Sequence, residues 1–391
     1  MRILYVHASF VPPPVDVHTD RFFLLSEKLE GDVLQPVWLG SPAEIEATFG
    51  PGSFPVYTAG RFRYHWVFAW RYRGIRQKLA IFWFYIRKGL ELHRQQSYDC
   101  IVAYSHMTTG VFAGLLSVLT RTKLIIEIAT SPEFVYLAES PRPGWRQRLM
   151  HLYSDICLHV SVWLSDRLHF LYPQQLARYP LLRRKPNSVF HEFVTVSMID
   201  RPKECAQPAE RFLLFVGAPL YLKGVDLLIA AFHRLAPDFP ELKLKILGHF
   251  PGPERRELDE LIQGSPRIEV LKARPNPEAI AIIQRATILV LPSRCEGMGR
   301  VLIEGMAAAI PLVGSDVGGI PFMVRDGECG YIFPRGDARA LEQKLRDLLN
   351  HPEKSRTMGE NGYRRAHSEL NEKVYVEEFY RMVEATDKDQ A

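Results

Sequence analysis

Two carboxylates mark the chemistry this sequence could do. Glu296 and Glu304 stand eight residues apart inside the stretch Pro292–Pro321, PSRCEGMGRVLIEGMAAAIPLVGSDVGGIP. Val301, Leu302, Ile303, Met306 and Ala307–Ala309 surround Glu304 in a run that reads as an apolar helix. Acidic side chains are almost never fully buried without a partner, and an unpaired carboxylate among apolar groups is costly. Glu304 therefore faces either solvent or groups that donate hydrogen bonds. Glu296 sits in the loop before this helix with Gly297 and Gly299, which let the backbone approach a ligand closely. The helix opens near Met298, Gly299, Arg300 and Val301. A helix start offers free N–H groups and the positive end of its dipole. Two acids, two loop glycines and a helix N-terminus suit a polyhydroxyl ligand that carries phosphate.

Such a loop needs strands to hold it. Ile288–Leu291 reads as the strand feeding the loop, and Pro311–Gly314 as the next one. Upstream, Arg211–Gly217 is a strand, Ala218–Gly224 a loop and Val225–Leu235 a helix. Leu242–Leu247, Ile268–Leu271 and Gly330–Phe333 are further strands, and Glu254–Ile262, Pro277–Arg285, Ala338–Leu349 and Val374–Val383 are helices. The first half shows the same alternation, with strands at Ile3–Val6, Val33–Leu39, Tyr98–Tyr104, Lys123–Ile128, Ser165–Phe170 and Val189–Val196. Its helical patterns run from about Thr19 to Leu29, over Gly110–Leu119 and over Trp145–Leu164. Strand–helix alternation is the pattern of a parallel sheet covered by helices, so the fold class is α/β with two open sheets. At 391 residues the chain exceeds one ordinary core. The polar, proline-bearing stretch Asp200–Pro208 is the expected linker. The expected domains are 1–200 and 201–370, with 371–391 as a C-terminal helix and tail crossing back towards the first domain.

Residues 61–94, RFRYHWVFAWRYRGIRQKLAIFWFYIRKGLELHR, break the rhythm, with Glu91 as their only acid. Read as a helical segment, this is the composition of an interfacial membrane anchor. A core helix with a basic outer face is the alternative, and no nucleic-acid motif accompanies the patch. Over the whole chain the composition is that of a soluble globular protein, 47% hydrophobic and 24% charged, with a formal net charge of only +5. The five cysteines show no metal-ligand or disulfide spacing. MRILYVHAS reads as a strand and lacks a signal peptide's long apolar region, and no apolar run reaches the roughly 20 residues of a membrane span. A cytoplasmic protein, peripheral on the inner face of the cell membrane, is the expectation.

The order of these pieces resembles the retaining glycosyltransferases of the GT-B fold, family 4. The resemblance rests on Glu296-Gly-Met-Gly-Arg-Val-Leu-Ile-Glu304, then Gly314-Ser-Asp-Val-Gly-Gly-Ile-Pro321, Asp326-Gly327, Gly330 and Gly336-Asp337, with Phe215-Val-Gly217 and Lys223-Gly224 upstream. It implies two Rossmann-like domains facing across a cleft, the first binding the acceptor and the second a UDP- or GDP-sugar donor. By resemblance Glu304 accepts the hydroxyls of the donor ribose, Glu296 contacts the transferred sugar, and Lys223 offsets charge on the leaving diphosphate. No metal, further cofactor or protein nucleophile is implied. The acceptor would be a glycan or glycolipid of envelope polysaccharide assembly.

The sequence departs from the family at three places. Ala218 stands where an arginine is usual, Val15 and Asp16 where two glycines are usual, and Ala129 and Thr130 where a histidine or aspartate often occurs. Arg294 or Arg300, flanking the motif loop, would then supply the missing phosphate charge. The departures also motivate a rival reading, a non-catalytic module that binds nucleotide sugars. Gly318 and Gly319 are read as turn residues, and His106 is left outside the catalytic set.

Overall fold

The computed structural model describes residues 1–7, 16–37, 46–48, 56–68, 75–129, 144–178, 182, 185–200 and 210–388. They form two units, each built on its own sheet. The prolines of the first loop, Val15, Thr130 and the linker at 201–208 lie outside the described residues.

The first unit carries eight strands: β1 (Arg2–Val6), β2 (Glu30–Val37), β3 (Val56–Ala59), β4 (Phe62–Phe68), β5 (Cys100–Tyr104), β6 (Lys123–Ile128), β7 (Arg167–Phe170) and β8 (Asn187–Val189). Their order is β3-β4-β2-β1-β5-β6-β7-β8, parallel throughout except for the β3–β4 hairpin. Strands covered on both faces read as continuous apolar runs, which is why Ile3–Val6 and Lys123–Ile128 were recognisable. The helices Ile75–Gln95, Thr108–Thr120 and Trp145–Leu164 insert Tyr85, Ile86, Leu92, Ala113, Leu116, Leu158 and Val162 into one core with β1, β5, β6 and β7. The last helix, Glu372–Lys388, joins this unit from Tyr375 onward. Lys28 pairs with Glu377, and the Tyr375 ring lies 5.6 Å from Phe190.

Residues 61–94 are not one helical segment. Phe62–Phe68 is β4, and only from Ile75 is the chain helical, with 69–74 outside the described residues. The physical reason is the period: Phe62, Tyr64 and Trp66 alternate and are all buried. Arg63, between them, donates both of its hydrogen bonds to the wholly buried Asp32 at 2.9 Å. Asp32 also meets His65 Nε2 at 2.6 Å and accepts from Tyr98 Oη at 2.7 Å. Burial opposes this charge, but the three partners outweigh it and hold the carboxyl at about 2. The strand read over Val189–Val196 stops at Val189.

The second unit is a six-stranded parallel sheet, β11-β10-β9-β12-β13-β14. The strands are β9 (Phe212–Val216), β10 (Lys243–Gly248), β11 (Ile268–Lys272), β12 (Ile288–Leu291), β13 (Leu312–Ser315) and β14 (Gly330–Phe333). The chain winds outward from β9 to β11, then returns to the other side of β9 and winds outward again from β12 to β14. The helices Val225–Leu235, Asn276–Ile283 and Arg300–Ala307 follow β9, β11 and β12. A further helix, Pro352–Glu369, packs on Arg300–Ala307.

Candidate functional site

In an open α/β sheet, ligands bind beyond the C-terminal ends of the strands where the winding reverses. In the second unit that point lies between β9 and β12. The loop after β9 carries Lys223 and the loop after β12 carries Glu296, 73 residues apart in sequence. Backbone bonds fasten one loop to the other: Arg294 N–H donates to Leu222 O at 2.8 Å. Ser315, at the end of β13, donates to Ser293 O at 2.6 Å.

This framing brings Lys223 Nζ to 2.6 Å from Glu296 Oε2. Ser293 Oγ donates to the same oxygen at 3.2 Å, and Gly297 N–H to the other oxygen at 3.1 Å. The two charged side chains are 17% and 8% exposed, so the ion pair is largely withdrawn from water. An ion pair in such a place costs desolvation and is weak evidence for stability. A cation beside an acid in such a loop is what an anionic ligand would engage.

A second glycine loop closes on this one from β13. Gly319 N–H donates to Gly297 O at 2.7 Å. Gly318 has φ +57°, and a Cβ there would come to 2.0 Å from Glu296 O. The turn role expected for Gly318 thus includes seating the Glu296 loop. Gly318→Ala must push Glu296 out of place, since the obstacle is backbone. It is expected to cut nucleotide affinity or turnover about 100-fold, the order seen for a misplacement of about 1 Å. Titration calorimetry and initial rates on a variant with a native circular-dichroism spectrum check this.

Glu304 lies one turn into the helix Arg300–Ala307, on its partly open side, while Leu302, Ile303 and Met306 are buried. Asn276 Nδ2, at the start of the helix after β11, donates to Glu304 Oε1 at 3.2 Å. Burial raises the Glu304 pKa above the ordinary carboxylate range, only partly countered by Arg300 and Asn276. Asn276 was not singled out from the sequence. It carries no motif, and only the β11–β12 crossover sets it opposite Glu304.

The remaining sequence candidates divide. Arg294 is gripped by Asp226 through two bonds of 2.6 Å, and its guanidinium lies 4.0 Å from the Tyr221 ring centroid. Arg300 is exposed and makes no hydrogen bond or ion pair among the described residues. Met298 is buried, its sulfur accepting from Glu192 N–H at 3.1 Å, so it offers a ligand only its main chain. Gly297, Gly299 and Val301 line the loop and the first helical turn, where N–H groups lack intrahelical acceptors. His106 belongs to the first unit, after β5. It is fully buried, with neither ring nitrogen bonded among the described residues, and burial lowers its pKa to about 4. Among the described residues no cluster of His, Cys, Asp and Glu is arranged to hold a metal.

Two Rossmann-like α/β units, the second with its reversal-point loops closed around an acid–lysine pair, define the class of fold. Comparison narrows this. Residues 198–365 match the family model "Glycosyl transferases group 1". An uncharacterized glycosyltransferase of Methanocaldococcus jannaschii is 34% identical over 153 residues, covering 39% of this chain and 42% of that protein. A glycogen synthase of Mycobacterium tuberculosis is 32% identical over 205 residues, covering 51% and 46%. The chain thus spans less than half the length of these curated relatives. Among solved structures, the sucrose-phosphate synthase of Thermosynechococcus elongatus superposes with a TM-score of 0.77 at 19% identity, covering 98% of this chain and 100% of that one. Anabaena HepE, solved in complex with UDP, superposes at 0.70 with 16% identity, covering 98% and 100%. The fold is GT-B.

Proposed function

We propose that the chain is a retaining glycosyltransferase that moves a sugar from a nucleotide diphosphate sugar to a hydroxyl of a glycan or glycolipid. The observation that carries this reading is the Lys223–Glu296 pair at 2.6 Å on the β9–β12 reversal point, beside the first turn of the helix that bears Glu304. Glu304 and Asn276 take the ribose. The N–H groups at Gly299–Val301 take the diphosphate together with Lys223 and Arg300, the cation that Asp226 leaves uncommitted. Glu296 holds the sugar.

In the reaction the bond from the sugar C1 to the diphosphate oxygen breaks and a bond from C1 to the acceptor oxygen forms. The acceptor proton passes to the leaving diphosphate. Charge grows on the diphosphate in the transition state, so its cations and amide donors contribute most there. The first unit selects the acceptor. UDP as the nucleotide and assembly of envelope polysaccharide agree with what the similar proteins are called, HepE with UDP and the capsular polysaccharide glycosyltransferase CapM of Staphylococcus aureus.

A thermal-shift screen of nucleoside diphosphates and their sugars tests the donor, since a ligand of the native state raises the melting temperature. Product formation from the stabilising donor with glycan acceptors tests transfer. Binding without turnover on any acceptor favours the non-catalytic module, the reading that Ala129 and Ala218 motivate.

Glu304 sets a pH dependence for donor binding. Ribose hydroxyls donate to the ionised carboxylate, and burial makes Glu304 protonate at higher pH than an ordinary glutamate. The Kd for the nucleotide is expected to rise as pH falls through that raised value. Glu304→Gln should bind more weakly at neutral pH and lose this dependence. Calorimetric titrations across the acid range measure both.

A further inference from the structure

The outer face of the first unit is apolar where it ought to be polar. On the helix Trp145–Leu164, the residues Trp145, Leu149, Leu152, Ile156, Val160 and Trp163 are all exposed, Trp163 to 78%. At 3.6 residues per turn they fall within an arc of about 80°. The buried Ser154, Cys157, Leu158, Ser161 and Val162 lie on the opposite side. This helix therefore has two apolar faces and uses one of them in the core.

Its neighbours extend the surface. Gly114 of Thr108–Thr120 lies against Leu164, and Phe112 meets Phe82 of Ile75–Gln95 edge to face, ring centroids 4.9 Å apart. All three helices turn their buried side chains into the same core, so their exposed sides share one direction. There Thr108–Thr120 shows Leu115, Val118 and Leu119, and Ile75–Gln95 shows Leu79 and Trp83, the latter 63% exposed. Large contiguous apolar surface of this kind marks an interaction site.

Charge identifies the occupant. Together the three helices hold seven Lys and Arg against Glu91 and Asp155, a surplus of five. The whole chain's net charge is also +5, so the rest of the sequence is balanced. On Ile75–Gln95 the exposed Arg76, Arg87 and Arg94 continue the stripe of Leu79 and Trp83 on the same side of the helix. A symmetric dimer through this face would press the surplus against itself. A bilayer with anionic headgroups would neutralise it and take up the indoles and aliphatic groups.

We propose that this three-helix face docks on an anionic lipid surface, with Trp163, Ile156 and Trp83 entering the interface and Arg76, Arg87 and Arg94 meeting the headgroups. The proposal suits a glycolipid acceptor but does not depend on glycosyl transfer, because Trp83, Ile156, Trp163 and the three arginines belong to the first unit and the proposed nucleotide site lies in the second.

Flotation of the full chain tests it, with vesicles of phosphatidylcholine alone and of phosphatidylcholine mixed with phosphatidylglycerol. The protein should float with the mixed vesicles, stay behind with the neutral ones, and be released by high salt. Arg87→Gln should weaken binding about five-fold, and the exposed double variant Ile156→Glu/Trp163→Glu should abolish it. Both variants should keep the wild-type thermal shift with nucleotide, which reads the fold and the second unit separately. Failure of the wild-type chain to float on either vesicle overturns the proposal. So does light scattering that shows a dimer split by Ile156→Glu/Trp163→Glu, for then a second copy covers the face.

Discussion

Lys223→Ala is expected to lower kcat about 10²–10³-fold while leaving the fold intact, the usual cost of losing one charge-stabilising group in a transition state. The side chain reaches Glu296 at 2.6 Å across two loops. Among the described residues, removing it leaves Glu296 with donors only from Ser293 and Gly297. The nucleotide should still bind through Glu304, Asn276 and the helix start, so the loss should fall more on kcat than on the Kd for UDP. Lys223→Arg keeps the charge, but a planar fork replaces a compact ammonium and should restore only part of the rate. Steady-state rates with the donor found in the thermal-shift screen, beside calorimetry with UDP, separate the two effects. Equal loss in binding and rate would show that the ammonium serves the ground state as much as the transition state.

The largest stability effect is expected in the other unit. Asp32→Ala removes the acid that Arg63, His65 and Tyr98 all address, and leaves a guanidinium and a phenol facing a hole. Arg63 is 43% exposed and can turn to water, but the buried Tyr98 and His65 lose a charged acceptor, together about 3–5 kcal/mol. At about 2–4 °C per kcal/mol, the first unit's transition in calorimetry should fall by about 6–20 °C. The second unit's stabilisation by nucleotide should be retained. The pH dependence has a defined sign. The folded Asp32 carboxyl is held at about 2, below the ordinary aspartate value of 3.8. Its contribution is present above the unfolded value and is lost as pH falls from there towards about 2. The gap between wild type and Asp32→Asn should therefore narrow over that window and stay constant above it. A gap that does not narrow would mean that Asp32 acts by shape and not by charge.

Much of the candidate site could be read before any coordinates. Glu296, Gly297, Gly299, Arg300 and Glu304 occupy one contiguous stretch, and a strand, loop and helix place neighbours in sequence as neighbours in space. Lys223 came into the reading only through resemblance, since nothing local ties it to a glutamate 73 residues away. Arg294 and Arg300 looked equivalent as flanking cations. The fold alone distinguished them, by setting Asp226 against Arg294.

The same division runs through the whole chain. Apolar β-branched runs and their alternation with helical patterns determined the class, because strands buried on both faces can tolerate little else. The helix Pro352–Glu369 escaped, since Gly359 and Gly362 lower helix propensity. Packing supplies their reason: a Cβ at Gly359 would come to 2.2 Å from Ala309 O, so glycine is what lets this helix close on the one that carries Glu304. The helical period of Trp145–Leu164 was legible too, but not that it has two apolar faces with only one of them covered. Periodicity tells which residues share a side of a helix. Which side the core takes, and which is left for a partner, is decided when the sheet and its neighbouring helices fill one face and leave the other open.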